Sequence, residues 1–171
     1  MMAKSSIIKK IYNAGPLIFL YYLCISEVDT NLEKIFEILT LNFQIILIYF
    51  WVIKRPEIMA NGHVFLAGLI NDVVMGFPLG ISSLSYLIII FVGAYVRNKS
   101  VNTTIASDWF TFFIAMMFSN LLFFIFLTNF SDLTFTFSKI GYNMFFTLFT
   151  FPIFWVLFNI YQLTFLGSRD A

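Results

Sequence analysis

The sequence alternates between long apolar runs and short polar stretches. An α-helix needs about 20 mostly apolar residues to cross the ~30 Å hydrocarbon core of a bilayer, and most of the runs approach this length. The pattern therefore predicts an all-α integral membrane protein with about six transmembrane helices in one polytopic membrane domain, residues 1–171. The predicted spans lie roughly at residues 11–25, 38–53, 63–75, 81–96, 109–127 and 140–161.

One acidic side chain interrupts the third run. Asp72 has apolar surroundings, and Gly68 and Gly76 lie four residues before and after it, so the three share one face of a helix. The two glycines would let a partner backbone approach closely. The carboxyl group would need a hydrogen-bond partner, because its desolvation is costly. We therefore expect this face to pack against another helix, and Asn71 places a second polar group beside it.

A stretch that contains glycine and proline joins the third and fourth runs. Gly76, Pro78 and Gly80 favour a tight turn, and residues 76–80 carry no charge. The stretch predicts the corner of an antiparallel helical hairpin, with a binding loop for a partner as the alternative. In the fourth run, one helical face has polar members that suit contact with Asp72. That face comprises Ser82, Ser85, Tyr86, Ile89 and Gly93.

Residues near the ends of the runs have predicted roles at the membrane surface. Trp51 lies close to the end of the second run, where aromatic side chains anchor a helix at the interface. Asp108 directly precedes Trp109 and the fifth run, so it is predicted to be the N-cap of that span. Arg55 is predicted to anchor the chain to lipid phosphates, with contact to a partner protein as the alternative.

Composition agrees with a membrane protein and excludes several functions. The chain is 60% hydrophobic and 11% charged, whereas soluble domains are nearer half apolar and a quarter charged. The net charge of +1 gives no reason to expect a nucleic-acid partner. Cys24 is the single cysteine and His63 the single histidine, so we expect neither an internal disulfide nor a Cys/His metal site.

The distribution of basic residues predicts the orientation in the membrane. If the amino terminus lies inside and six helices cross the bilayer, eight of the ten Lys and Arg residues fall on the inner side. Cytoplasmic segments carry an excess of these residues, so both termini are predicted to be cytoplasmic. The inner residues are Lys4, Lys9, Lys10, Lys54, Arg55, Arg97, Lys99 and Arg169, and the outer ones are Lys34 and Lys139.

The sequence shows no pattern typical of an active site. It contains no evident nucleophile–base pair, glycine-rich phosphate loop or paired carboxylates, which enzymes of the common classes need. We expect no enzymatic activity and no cofactor. Asp72 has three interpretations: a structural carboxyl that joins the third helix to the fourth, a group for partner docking or a conformational switch, and a proton-coupling group.

An ordered set of residues resembles the signature of a known family. It begins with Arg55-Pro56-Glu57 and Phe65-Leu-Ala-Gly68-Leu69, and continues with Asp72, Gly76, Pro78-Leu-Gly80 and Leu84. This set, within a chain of this size and hydropathy, resembles the rod shape-determining protein MreD family. Asn71 is a departure, because apolar residues usually precede the aspartate in that family.

The resemblance implies a function that the composition does not show. It implies a non-enzymatic scaffold of the bacterial inner membrane, in the elongation complex (elongasome) that supports rod cell shape and side-wall peptidoglycan synthesis. The implied partners are MreC, MreB filaments, the side-wall peptidoglycan synthase and transpeptidase, and membrane lipids. The implied fold is similar to the six-helix substrate-binding subunits of energy-coupling-factor transporters.

Two other functions of membrane proteins fit this sequence less well. A small-molecule (vitamin-like) substrate-binding subunit of a transporter would need a pocket near the membrane midplane that is reached from outside. The sequence lacks an obvious set of polar groups that converge on such a pocket. A proton-coupled carrier would need more intramembrane ionisable groups than Asp72.

Overall fold

The computed structural model describes residues 2–26, 33–99, 104–130 and 137–167. Within these ranges the chain forms six α-helices and a final π-helical turn, with no strand, so the all-helical fold class is confirmed for them. Arg169 lies outside the described residues, as do the side chains of Lys4, Lys9, Lys10, Lys34 and Lys139. The elements are α1 (Met2–Ile25), α2 (Glu33–Lys54), α3 (Asn61–Met75), α4 (Ile81–Lys99), α5 (Ile105–Phe130), α6 (Phe137–Tyr161) and the π-helical turn (Gln162–Leu166).

Several of the helices have the length and apolar character of membrane spans. In the described part of the chain, three helical segments are long and apolar enough to cross a bilayer, and two further apolar segments are shorter. Helices suit this environment because they satisfy their own backbone N–H and C=O groups without water. The three segments are Ile81–Lys99, Ile105–Asn129 and Gly141–Leu166, and the shorter ones are Ile11–Ile25 and Phe43–Lys54.

The second helix occupies the centre of the bundle. Every residue from Gln44 to Ile53 is buried, which is the pattern of a helix that is surrounded by others on all sides. α1, α4 and α6 pack against α2, and the Tyr49 hydroxyl reaches the Thr111 hydroxyl of α5. The core of the protein is therefore built around α2 and not around the α3–α4 hairpin.

The central position of α2 changes the role of Trp51. Its side chain is only 1% exposed and meets the ring of Tyr161 edge-on, with ring centroids 6.0 Å apart. The prediction that Trp51 anchors the protein at the membrane interface is therefore wrong. The end of α2 is covered by the end of α6, so this aromatic side chain belongs to the core.

The start of α5 also differs from the prediction. Thr104 caps the helix, because its Oγ1 accepts a hydrogen bond from the Ser107 backbone N–H at 3.3 Å. Asp108 lies inside the first turn, so its prediction as the N-cap is wrong. Its carboxylate points into the bundle, where Oδ2 accepts a hydrogen bond from Trp155 Nε1 at 3.0 Å and lies 3.7 Å from Lys54 Nζ.

Candidate functional site

α3 ends in a Schellman motif that depends on glycine. Gly76 has φ +66°, a left-handed conformation that side chains disfavour. The Phe77 N–H donates to Asp72 O at 2.9 Å and the Gly76 N–H donates to Val73 O at 3.4 Å, as this motif requires. The prediction that Gly76 belongs to the packing face is wrong: a Cβ at this position would meet nothing within 4 Å, because the helix ends at Met75.

We expect Gly76→Ala to destabilise the protein through backbone strain. The cost should be about 1 kcal/mol, because alanine disfavours the left-handed conformation, and the melting temperature should fall by about 3 °C. Gly141→Ala is the matched control, since Gly141 lies in α6 with open space around it and alanine favours a helix by up to about 1 kcal/mol. Thermal melts of both variants in detergent provide the comparison. Equal shifts of the two melting temperatures would contradict backbone strain at position 76.

Pro78 and Gly80 form the rest of the corner. The Pro78 carbonyl accepts a hydrogen bond from the Ile81 N–H at 3.3 Å, and the Gly80 carbonyl accepts one from the Leu84 N–H at 2.8 Å. Gly80 is thus the N-cap residue of α4, and it has φ +101°, which favours glycine. Because Gly80 has no side chain, it has no side-chain oxygen atom to accept hydrogen bonds from the N–H groups at the start of α4. Another residue must accept them.

Asp72 supplies this cap from the neighbouring helix. Its Oδ2 accepts a hydrogen bond from the Gly80 N–H at 2.7 Å, and its Oδ1 accepts one from the Ser82 N–H at 2.9 Å. These donors lie at the N-cap and in the first turn of α4, where backbone N–H groups have no intrahelical acceptors. The side chain is fully buried, and the positive end of the α4 dipole favours a negative carboxylate there. Asp72 therefore joins α3 to the start of α4.

A chain of buried amides and hydroxyls connects this cap to the central helix. Asn71 Oδ1 accepts a hydrogen bond from Gln44 Nε2 at 3.1 Å, and Asn71 Nδ2 donates to Ser82 Oγ at 3.1 Å. The Tyr86 hydroxyl donates to Gln44 Oε1. All four side chains are fully buried, so the network is worth more than exposed hydrogen bonds would be. It fixes α2, α3 and α4 relative to one another.

Gln44 is the site residue that the sequence analysis did not single out. The available signal was an amide within the apolar second run, followed directly by the apolar residues 45–48. A polar side chain in such a run needs a buried partner, but the sequence does not show which helix provides it. The structure shows that the partners are Asn71 and Tyr86.

Gly68 allows α3 and α4 to approach closely. A Cβ on Gly68 would lie 2.5 Å from Ser83 Cα and 2.6 Å from Ser83 N, distances that no side chain tolerates. Ser83 Oγ also donates to the Phe65 carbonyl of α3 at 3.0 Å. The absent side chain thus brings the two backbones together, and this approach places the start of α4 within reach of Asp72.

Arg55 lies apart from these residues, at the other end of the bundle. Its Nη2 donates to the carbonyls of Gly167 at 2.8 Å and Leu166 at 3.4 Å, and Nη1 lies 3.9 Å from Glu57 Oε1. A cation at this position stabilises the carboxyl end of the last helical segment. Six of the predicted site residues therefore cluster at the hairpin, namely Gly68, Asn71, Asp72, Gly76, Pro78 and Gly80, and Arg55 does not.

Comparison with known proteins identifies the family. Residues 11–162 of the 171-residue chain match the family model of the rod shape-determining protein MreD. The chain belongs to the MreD family. No curated protein and no solved structure matches the chain. Membership implies a role in cell shape determination, and with the three apolar helices it indicates a membrane protein.

The hairpin of this MreD-family chain has the properties of a structural joint. Every polar atom of Asp72 and Asn71 that the network uses is hydrogen-bonded to another helix or to the turn. Among the described residues, no group of three His, Cys, Asp or Glu side chains could hold a metal ion. The geometry therefore supports the interpretation of Asp72 as the carboxyl that joins α3 to α4.

Proposed function

We propose that the chain is a multi-pass scaffold of the bacterial inner membrane that binds MreC and so supports rod cell shape and side-wall peptidoglycan synthesis. The match of residues 11–162 to the MreD family carries this proposal. MreB filaments and the side-wall peptidoglycan synthase and transpeptidase would join the assembly directly or through MreC. The chain would act by binding alone, with no catalytic step and no cofactor.

The proposed topology has six spans and both termini in the cytoplasm, in a fold similar to the substrate-binding subunits of energy-coupling-factor transporters. Its support is the end of the bundle that carries Lys54, Arg55, Arg97 and Lys99, which we call the basic end. Arg97 Nη1 donates to Val52 O at 3.0 Å, so the ends of α2 and α4 meet there. An excess of basic residues marks the cytoplasmic side.

Cysteine labelling tests this topology. Cys24 is the only cysteine and is buried, so a Cys24→Ala background allows single cysteines at Lys99, which is exposed, and at Leu79, which is 73% exposed. A membrane-impermeant thiol reagent applied to intact cells should label the cysteine at position 79 and not the one at position 99. Labelling of both positions from the same side would contradict the proposed orientation.

The structure offers apolar outer surfaces against which a membrane helix of MreC could pack. On α6, one stripe of large side chains faces away from the bundle, and its members are 59–73% exposed. In a membrane, helix association depends on packing and not on exclusion of water, so a rigid surface is an advantage to a scaffold. The buried network holds α2 in place, and α6 packs against α2. The stripe consists of Phe145, Phe149, Ile153 and Ile160.

Crosslinking in the membrane tests the scaffold function. A photoreactive residue at Phe149 of α6, and in a second variant at Phe145 of the same helix, should give an adduct with MreC that mass spectrometry identifies. Both side chains are more than 70% exposed, so the substitutions leave the core intact, and samples kept from light are the control. Recovery of an ATPase pair and its coupling subunit instead of MreC would overturn the scaffold function.

The alternative function is a small-molecule (vitamin-like) substrate-binding subunit of a transporter. It requires a midplane pocket with converging polar groups. The cavity of about 470 Å³ in this structure lies at the basic end and has a mainly apolar lining, which does not favour the alternative. A vitamin that raises the melting temperature of the purified protein by several degrees would favour it.

A further inference from the structure

A cavity opens at the basic end of the bundle, between the end of α2, the following loop, the start of α3 and the part of α4 from Leu87 to Arg97. Its volume is about 470 Å³, within the range of small-molecule sites. Most of its lining is apolar, and Arg97 and Asn61 are its strongly polar side chains. None of its lining residues belongs to the Asp72 network, so this cavity is separate from the hairpin.

The α4 side of the cavity is one continuous stripe. Leu87, Ile90, Phe91 and Ala94 follow one another along a single helical face and lead to Arg97. At 1.5 Å per residue, the distance from Leu87 to Arg97 is about 15 Å, which is half of the ~30 Å hydrocarbon core. The stripe therefore runs from the midplane region to the surface and covers the depth of one leaflet.

The charge of Arg97 has no anionic partner in the described part of the protein. The guanidinium makes one described hydrogen bond, from Nη1 to the neutral carbonyl of Val52, and no described carboxylate forms an ion pair with it. Arginine pairs with phosphate through two parallel hydrogen bonds. Its remaining donors at the mouth of the cavity are complementary to a phosphate group.

We propose that this cavity binds one anionic phospholipid, with its phosphate at Arg97 and one acyl chain along the stripe of α4. The charge, the apolar lining and the depth of one leaflet all match this occupant. A partner helix does not match, because a helix about 10 Å across would occupy roughly 1,200 Å³ over the same length. The inference requires that α4 crosses the membrane, and it does not depend on MreC.

Native mass spectrometry of the purified protein tests the proposal. Protein equilibrated with phosphatidylglycerol should retain one lipid molecule, and protein equilibrated with phosphatidylcholine should retain at least about tenfold less. Arg97→Gln should weaken retention of phosphatidylglycerol by about tenfold or more, because it removes a charge-assisted contact. Lys99→Gln is the matched control: it removes the same charge two residues away, where Lys99 lies over the Tyr95 ring outside the cavity lining.

A second variant separates the cavity from the general attraction of a basic surface. Ala94→Trp fills the apolar stripe without a change of charge, and we expect a loss of retention as large as that of Arg97→Gln. Equal losses in Arg97→Gln and Lys99→Gln would overturn the proposal, because they would indicate non-specific surface electrostatics. Unchanged retention in Ala94→Trp, or equal retention of the two lipids by the wild-type protein, would overturn it as well.

Discussion

Asp72→Asn is expected to lower the free energy of unfolding by about 2–4 kcal/mol, although the two side chains have almost the same shape. Both carboxylate oxygens of Asp72 accept hydrogen bonds from backbone N–H groups at the start of α4. Asparagine has one acceptor oxygen, so its NH₂ group would face an N–H donor in the core. The variant thus loses a buried hydrogen bond and places the asparagine NH₂ group against a backbone N–H group. It also removes a negative charge from a helix N-terminus.

Asp108→Asn is the matched control for this substitution. Asp108 is also a buried acid at 1% exposure, but its Oδ1 has no hydrogen-bond partner, and only Oδ2 accepts from Trp155. An asparagine can direct its oxygen atom to Trp155 and its NH₂ group to the position of Oδ1, where no hydrogen bond is lost. The loss of the Lys54 ion pair should cost about 1 kcal/mol, because its Nζ–Oδ2 distance is long at 3.7 Å and Lys54 keeps its position over the Trp155 ring.

Thermal melts of the two variants in detergent, monitored by size-exclusion chromatography, provide the measurement. The melting temperature of Asp72→Asn should fall by about 5–10 °C, and that of Asp108→Asn by about 3 °C or less. If the melting temperatures of the two variants fall equally, the number of hydrogen bonds that Asp72 accepts does not explain its contribution to stability. The loss of a buried charge would then explain both results.

Gly68→Ala is expected to have the second large effect, a loss of about 3 kcal/mol or more. The added Cβ would lie 2.5 Å and 2.6 Å from the backbone Cα and N atoms of Ser83. A backbone cannot rotate away as a side chain can, so α3 and α4 must separate. Their separation lengthens the hydrogen bonds from α4 to Asp72 and from Ser83 to the Phe65 carbonyl.

Gly62→Ala serves as the control within the same helix. Gly62 lies in the first turn of α3, and a Cβ added there would meet no atom within 4 Å, so alanine should stabilise the helix by up to about 1 kcal/mol. Melting temperatures that shift in opposite directions would establish that contact with α4, and not helix propensity, determines the requirement at Gly68. A Gly68→Ala variant as stable as the wild type would contradict the close approach of α3 and α4.

The sequence predicted well those features that depend on local chemistry. Long apolar runs make helices because lipid offers no partner to free backbone groups, and each predicted span lies within one of the observed helices. Gly76, Pro78 and Gly80 impose the corner through their own backbone preferences. The signature around Asp72 predicted membership of the MreD family, and the match of residues 11–162 to the family model confirms it.

Two of the failed predictions required knowledge of neighbours that are distant in sequence, and the third required the residue at which α3 ends. Trp51 has the composition of an interfacial anchor, yet the end of α6 covers it. Helical spacing placed Gly76 on the packing face, but the helix ends before that residue and no neighbour is within 4 Å. Asp108 was expected to cap α5, whereas its carboxylate turns toward Trp155 of α6.

The sequence by itself determined the membrane class, the helices, the corner and the need of Asp72 for a hydrogen-bond partner, since hydropathy, backbone preference and desolvation are properties of short segments. Only the tertiary structure decided that α2 is central, that Gln44 pairs with Asn71, and that Asp72 caps α4. The physical reason is that apolar helices in a membrane have similar surfaces, so their pattern shows that they pack but not which faces meet.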